Sequence, residues 1–235
     1  MQQFYFFMAM GRTFVIGDIH GAHRALVQCL QRAGFDYNRD HLISLGDVCD
    51  GWPDTPACIE ELTKIKNLTY VLGNHDVWTL EWMQTREADE LWLDQGGEAT
   101  LNSYRSGVPM HHVQFLDNGV PYHLDNGRLF VHAGFDPKMP LETQGLETFL
   151  WDRNLAYLVL EMDQRTKPVK LTSFDEVYIG HTPVPANVPV FAGGVWLMDT
   201  GAGWSGVLTM MDINTKETFY SDPVPMLYPG VQARK

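Results

Sequence analysis

Thr13-Phe14-Val15-Ile16-Gly17-Asp18-Ile19-His20-Gly21 is an apolar run that stops at a glycine and delivers an Asp-x-His pair. Residues 13–17 read as a strand, and residues 22–33 behind them have the spacing of an amphipathic helix. Asp18 and His20, two apart on an extended turn, project to the same side, so one carboxylate and one imidazole can grip one cation. The flanking glycines permit the tight bend that this exposure needs. The same design recurs twice downstream. A strand at 41–45 runs into Gly46-Asp47-Val48-Cys49-Asp50, and one at 68–72 runs into Gly73-Asn74-His75-Asp76, with a helix near 55–65 between them. Strands alternating with covering helices imply an α/β sheet whose polar strand ends converge on one crevice.

Two more segments share the pattern in the second half, Val131-His132-Ala133-Gly134 and Gly180-His181-Thr182-Pro183. That half reads as more antiparallel. Strands at 122–124 and 129–131 are joined across Asp125-Asn126-Gly127, a turn that hairpins favour, and further strands are expected at 176–179, 195–198, 206–211 and 218–220. Residues 182–189 read as a loop, and the tail after Asp222, with Pro223, Pro225 and Pro229, as irregular. Residues 76–118, with Trp78, Trp82, Trp92 and the acidic run Glu87-Ala88-Asp89-Glu90, read as a helical flank or cap. The whole of 1–235 is expected to form one domain, with residues 1–10 a dispensable extension and Met10 an alternative start.

Bulk composition narrows the function classes. The 235 residues are 45% hydrophobic and 12% aromatic, as in ordinary globular proteins. A formal net charge of -12 repels polyanions, which argues against nucleic acid or an anionic membrane as partner. Any phosphate partner must then be met locally, and bound divalent cations would reverse the field there. Cys29, Cys49 and Cys58 lack the spacing of a zinc ribbon or disulfide scaffold, and the apolar start is far shorter than a membrane span. A cytoplasmic protein is expected.

Each motif residue has a plainer reading taken alone. Asp18, Asp47 and Asn74 could cap the helices that follow them. Capping does not require histidine at 20, 75, 132 and 181 as well. His23, His41, His111, His112 and His123 have no motif around them and read as ordinary histidines.

These five ordered segments resemble the calcineurin-like metallophosphoesterases, specifically the phosphoprotein phosphatase branch and its compact bacterial and bacteriophage lambda type of serine/threonine phosphatase. The resemblance covers roughly residues 13–212. It implies a four-layer α-β-β-α sandwich of two mixed sheets with the site at the loop edge. Carried onto this chain, it makes Asp18 and His20 ligands of one divalent metal and Asn74, His132 and His181 ligands of a second, with Asp47 bridging them. Two cations about 3.5–4 Å apart would hold a bridging hydroxide that hydrolyses a phosphate monoester. The family's bacterial members imply Mn2+, while Fe or Zn would suit the same donors. His75 matches the acid that protonates the leaving alcohol, and Asp50 the carboxylate that orients it. Arg153 in Leu150-Trp151-Asp152-Arg153-Asn154, together with Asn74, matches phosphate-contacting positions. A phosphorylated protein or a small phosphate ester is the expected substrate.

The chain departs from the branch at Gly51, where a phosphate-clamping arginine is normal; glycine supplies none of that bidentate contact. Arg24, Arg105 or Lys138 could replace it. Trp52 reads as core packing or as a platform beside the site. Asp76 stands where the branch usually has Glu, as in the wider superfamily. Asp199, in Met198-Asp199-Thr200-Gly201, reads either as a partner of a ligand histidine or as a turn former. The Gly51 departure keeps one alternative in view, a diadenosine tetraphosphate or related nucleotide hydrolase; a second, a non-catalytic scaffold, is opposed by retention of every expected ligand together with His75 and Asp50.

Overall fold

The computed structural model describes residues 11–162 and 169–232; the expected extension and most of the segment around the alternative start lie outside the described residues. β1 (Thr13–Ile16), β2 (His41–Ser44) and β3 (Asn67–Tyr70) are parallel neighbours, connected by α1 (His23–Arg32) and α2 (Thr55–Thr63). After β3 the chain forms α3 (Asn74–Thr85), a short α4 (Glu90–Trp92), a widened turn at Leu93–Gly97, α5 (Glu98–Ser103) and α6 (Met110–Asp117). It then builds a second sheet from β4 (Tyr122–Asp125), β5 (Arg128–Val131), β6 (Glu176–Ile179), β7 (Val190–Ala192) and β8 (Val195–Leu197), ordered β4-β5-β6-β8-β7. α7 (Leu146–Trp151) and α8 (Asn154–Glu161) come between β5 and β6. The chain finally returns to the first sheet, where β9 (Thr209–Asp212) pairs antiparallel with β1 and β10 (Thr218–Tyr220) with β9, and it ends in α9 (Val224–Leu227).

Strand alternation sets the layers, because successive side chains point to opposite faces. Phe14, Ile16 and Leu42 pack outward with α1 and α2, whereas Val15 and Ile43 face inward. On the second sheet Leu129, Val131, Val177 and Ile179 pack with Phe149 of α7 and Leu155 and Val159 of α8. Phe130, Tyr178 and Met198 meet Val15, Ile43 and Met211 between the sheets. The result is the expected four-layer α-β-β-α sandwich, with all of these side chains at 3% exposure or less.

The hairpin turn is as expected, with Asn126 at φ 47° and Gly127 at φ 79°, the paired positive values of a type I′ turn. Two expectations need correction. β7 follows the loop at 182–189 as an edge strand, pairing antiparallel with β8, where no strand was expected. The tail is not wholly irregular: α9 carries the chain to Tyr228, whose ring stacks on Trp52 at 5.1 Å. Prolines 223 and 225 sit before and within the first turn of α9, where the missing N–H costs no helical hydrogen bond.

Candidate dimetal active site

The loops after β1, β2, β3, β5 and β6 meet at one edge. Ile19 and His20 amides donate to the Asp47 carbonyl at 3.0 and 2.8 Å, and the Gly21 amide to the Val48 carbonyl at 2.8 Å, which ties the first loop to the second. Four non-glycine residues here sit in the left-handed region: His20 (φ 51°), Asp47 (48°), Asp50 (72°) and His181 (62°). Such backbone costs of order 1–3 kcal/mol per residue and persists only where the surroundings enforce it. Two glycines act by close approach instead. A Cβ on Gly73 would lie 2.1 Å from Asp47 Oδ1, and one on Gly180 the same distance from Asp18 Oδ1. None of Asp18, Asp47 and Asn74 caps a helix: Ala22, Asp54 and Gly73 hold the N-cap positions of α1, α2 and α3.

All six candidate ligands converge and are buried. Asp18, His20 and Asp47 offer ligand atoms within 4.8 Å of one another, and so do Asp47, His132 and His181, with Asp47 common to both groups. Asn74 Oδ1 lies 3.0 Å from His132 Nε2, and His181 Nδ1 lies 3.2 Å from it. The ring tautomers decide what these atoms are. His132 Nδ1 is 2.8 Å from the Leu45 carbonyl, to which only an N–H can donate, so Nε2 presents a lone pair. His20 Nδ1 is 3.2 Å from the Cys49 carbonyl, which leaves its Nε2 facing Asp47 Oδ2 at 3.7 Å. Burial drives His132 down to about 3, so its imidazole is neutral, the form that binds metal. Burial, followed by the Asp199 and Asp47 carboxylates, pushes Asp18 well above the usual carboxylate range. The His132 lone pair facing Asn74 Oδ1, among buried acids, is a donor set that fits divalent cations, which would relieve both repulsions.

A second arrangement adjoins the first. His75 donates its backbone N–H to Asp47 Oδ1 at 3.0 Å, and its Nδ1 lies 2.8 Å from Asp50 Oδ2. The Asp50 carboxylate, with no exposed surface, also accepts from Trp92 Nε1 at 2.8 Å and Thr79 Oγ1 at 3.2 Å, while its amide donates to Thr100 Oγ1. Trp92 reads as packing in the sequence; its indole N–H contact with Asp50 is one that no local signal announces. Asp76 accepts from the Val48, Cys49 and Gly73 amides at 2.8, 3.1 and 3.1 Å, so it ties the second loop to the third. Burial raises its carboxyl to about 6 against the pull of these donors.

The two arrangements share the wall of an open cavity of about 340 Å³, lined by His20, Asp47, Asn74, His75, His181, Arg153, Gln95, Leu91 and the tryptophans Trp78, Trp151 and Trp204. Arg153 Nη1 donates to the His181 carbonyl at 2.9 Å and to Thr182 Oγ1 at 3.0 Å, which seats the guanidinium at the cavity. The other basic candidates lie elsewhere. Arg24 bonds the Leu227 carbonyl and covers the Tyr228 ring, Arg105 bonds Asn102, and Lys138 lines a different cavity. Trp52 is core: fully buried, stacked on Tyr228 and donating to the Ala202 carbonyl at 2.7 Å. Asp199 Oδ1 accepts from the Gly201 amide, as a turn former does.

A two-sheet sandwich whose strand ends gather two carboxylate-imidazole groups around one shared aspartate defines a metal-dependent hydrolase. The chain belongs to the calcineurin-like phosphoesterases, whose family profile matches residues 11–200. It is 35% identical to serine/threonine-protein phosphatase 2 of Escherichia coli K12 over 216 residues, 85% of this chain and 92% of that protein. It is 24% identical to a symmetrical bis(5'-nucleosyl)-tetraphosphatase of Pseudomonas fluorescens, covering 93% and 98%. A solved protein serine/threonine phosphatase from Saccharomyces cerevisiae superposes with a TM-score of 0.62 at 13% identity, covering 97% and 84%, a likeness of fold. The chain is therefore a metal-dependent phosphoesterase.

Proposed function

We propose that this enzyme hydrolyses phosphate monoesters as a serine/threonine-type protein phosphatase. The observation that carries the reading is the contact between two arrangements: His75, held by Asp50, leans through its own amide on Asp47, the residue common to both donor groups. In this reading Asp18, His20 and Asp47 hold one divalent cation, and Asp47, Asn74, His132 and His181 hold the other. Mn2+ is the proposed working metal. Cations bound there supply a lowered pKa for water and neutralise phosphoryl charge.

The chain's own residues do the rest. With Nδ1 engaged by Asp50, the other nitrogen of His75 carries the proton given to the leaving oxygen. Arg153 and Asn74 contact the phosphoryl oxygens, Arg153 through a charge-assisted bond that compensates in part for Gly51. Three buried cysteines in thiol form suit a cytoplasmic setting.

The second reading, hydrolysis of a diadenosine tetraphosphate, is favoured by one feature of the cavity: Trp78, Trp151 and Trp204 line it, aromatic surface suited to a nucleobase. Mn2+-loaded protein assayed side by side on phosphopeptides, p-nitrophenyl phosphate and diadenosine tetraphosphate separates the two. Higher kcat/KM on phosphopeptide is expected. The reverse order transfers the site to the nucleotide reading, and no turnover of any substrate sinks both.

A further inference from the structure

Two of the histidines that have no motif around them come together with an acid from another helix. Glu60 sits on α2, and His111 and His112 are the second and third residues of α6. Glu60 Oε1 lies 2.7 Å from His111 Nε2 and 3.0 Å from His112 Nε2, and the three ligand atoms lie within 4.8 Å of one another. Consecutive helical residues point about 100° apart, so two imidazoles of one helix meeting on a single oxygen need a tertiary cause. Here the rings pack edge to face with centroids 4.4 Å apart, the His112 side chain buried at 2% and the His111 side chain exposed at 54%.

The buried ring is also oriented from behind. His112 Nδ1 lies 2.7 Å from the hydroxyl of Tyr104, itself buried. A hydrogen-bonded partner on the far nitrogen is what fixes ring direction and tautomer in metal-ligating histidines. A hydroxyl serves either tautomer: it donates to Nδ1 when Nε2 carries the proton, and accepts from Nδ1–H when Nε2 presents its lone pair. Without a cation, N–H bonds from the two imidazoles hold Glu60 below the usual carboxylate range, while burial lowers His112 against the pull of Glu60.

We propose that Glu60, His111 and His112 form a separate metal site that takes a borderline divalent cation such as Zn2+ and links α2 to α6. Two imidazoles and one carboxylate are a zinc donor set, and with Glu60 and His111 at the surface a fourth position is left to water. Tetrahedral bonds of about 2.0–2.1 Å put ligand atoms roughly 3.3 Å apart, a few tenths of an ångström beyond the two Glu60 contacts of 2.7 and 3.0 Å, so the exposed Glu60 and His111 side chains shift to admit the cation. It displaces the protons that now bridge the three groups. The site shares no residue with the cavity donors, and its existence does not depend on the roles proposed for them.

The test is total bound metal per chain, Mn and Zn summed, after full-length protein is equilibrated with both ions and freed of excess; summing makes the count indifferent to exchange between sites. Glu60→Gln and His111→Ala alter exposed side chains, and circular dichroism checks their folding. Wild type is expected to hold one metal more than either variant and to show a Zn2+-dependent rise in Tm that both variants lose. Equal metal counts in all three proteins would overturn the site.

Discussion

The strand-end loops and the segment from α4 to α5 contribute to the same cavity by different means. The loops carry their chemistry on themselves: Asp18, His20, Asp47, Asn74, His132 and His181 each follow a strand by a few residues, and His20, Asp47 and His181 sit there in left-handed conformations, with backbone bonds tying neighbouring loops together. The α4–α5 segment lines the cavity with Leu91 and Gln95 and reaches Asp50 through single side-chain atoms, the Trp92 indole N–H on its carboxylate and the Thr100 hydroxyl on its amide. Gly96, at φ 105°, breaks the turn that aims this segment, and its carbonyl accepts from the Gly51 amide at 3.1 Å. The proposed ligands are thus set by loops tied to the sheets, whereas the orientation of the proposed acid, His75, depends on a cover laid over Asp50.

If that contrast is right, damage should scale with which region is touched. Asp47→Asn should have the largest effect, because one residue serves both donor groups: metal analysis should find both positions depleted and p-nitrophenyl phosphate turnover at background. A variant that keeps both cations would break the shared role. His75→Asn should lower kcat about 10²–10⁴-fold, the usual contribution of a general acid, with metal content intact. Parallel loss of metal would move His75 into the donor set.

Stability of the metal-free protein tests the buried imidazole. His132 titrates at about 3 when folded, against 6.5 ordinarily, so between those values the unfolded chain binds a proton that the folded chain refuses. The contribution is whole above pH 6.5 and declines as pH falls towards 3, by at most about 1.4 kcal/mol per pH unit. The urea midpoint of metal-free wild type should therefore fall more steeply below pH 6.5 than that of metal-free His132→Gln. Equal slopes would show that the imidazole is not held neutral.

The smallest effect belongs to the cover. Trp92→Phe keeps an aromatic side chain, smaller than the indole, and removes one donor from Asp50, and kcat is expected to drop roughly ten-fold with KM nearly unchanged. The pH profile of kcat should shift with it, since Asp50 then holds His75 differently. A loss of Tm with an unmoved kcat profile would reduce Trp92 to packing.

Much of the fold was legible because its signals are local. An apolar run ending in Gly-Asp or Gly-Asn announces a strand and its exposed polar end, and that reading gave β1, β2 and β3 to within about a residue at most ends. β7 escaped it, because Val190–Ala192 follows a proline-rich loop, and three residues are too few to show alternation. Trp52 was undecided from sequence and turned out to be core, because its stacking partner Tyr228 lies far away in the tail.

By itself, then, the sequence determined the α/β class, the order of the strand ends and the residue types gathered there, since each depends only on neighbours a few positions apart. Tertiary structure decided which atoms face one another. Asp47 becomes common to two donor groups, Trp92 reaches Asp50 across 42 residues, and Glu60 meets His111 across 51, because helices packed on a closed sheet bring them within hydrogen-bond range. A hydrogen bond demands a donor and acceptor about 3 Å apart and aligned, and over such separations only a packed core supplies that geometry.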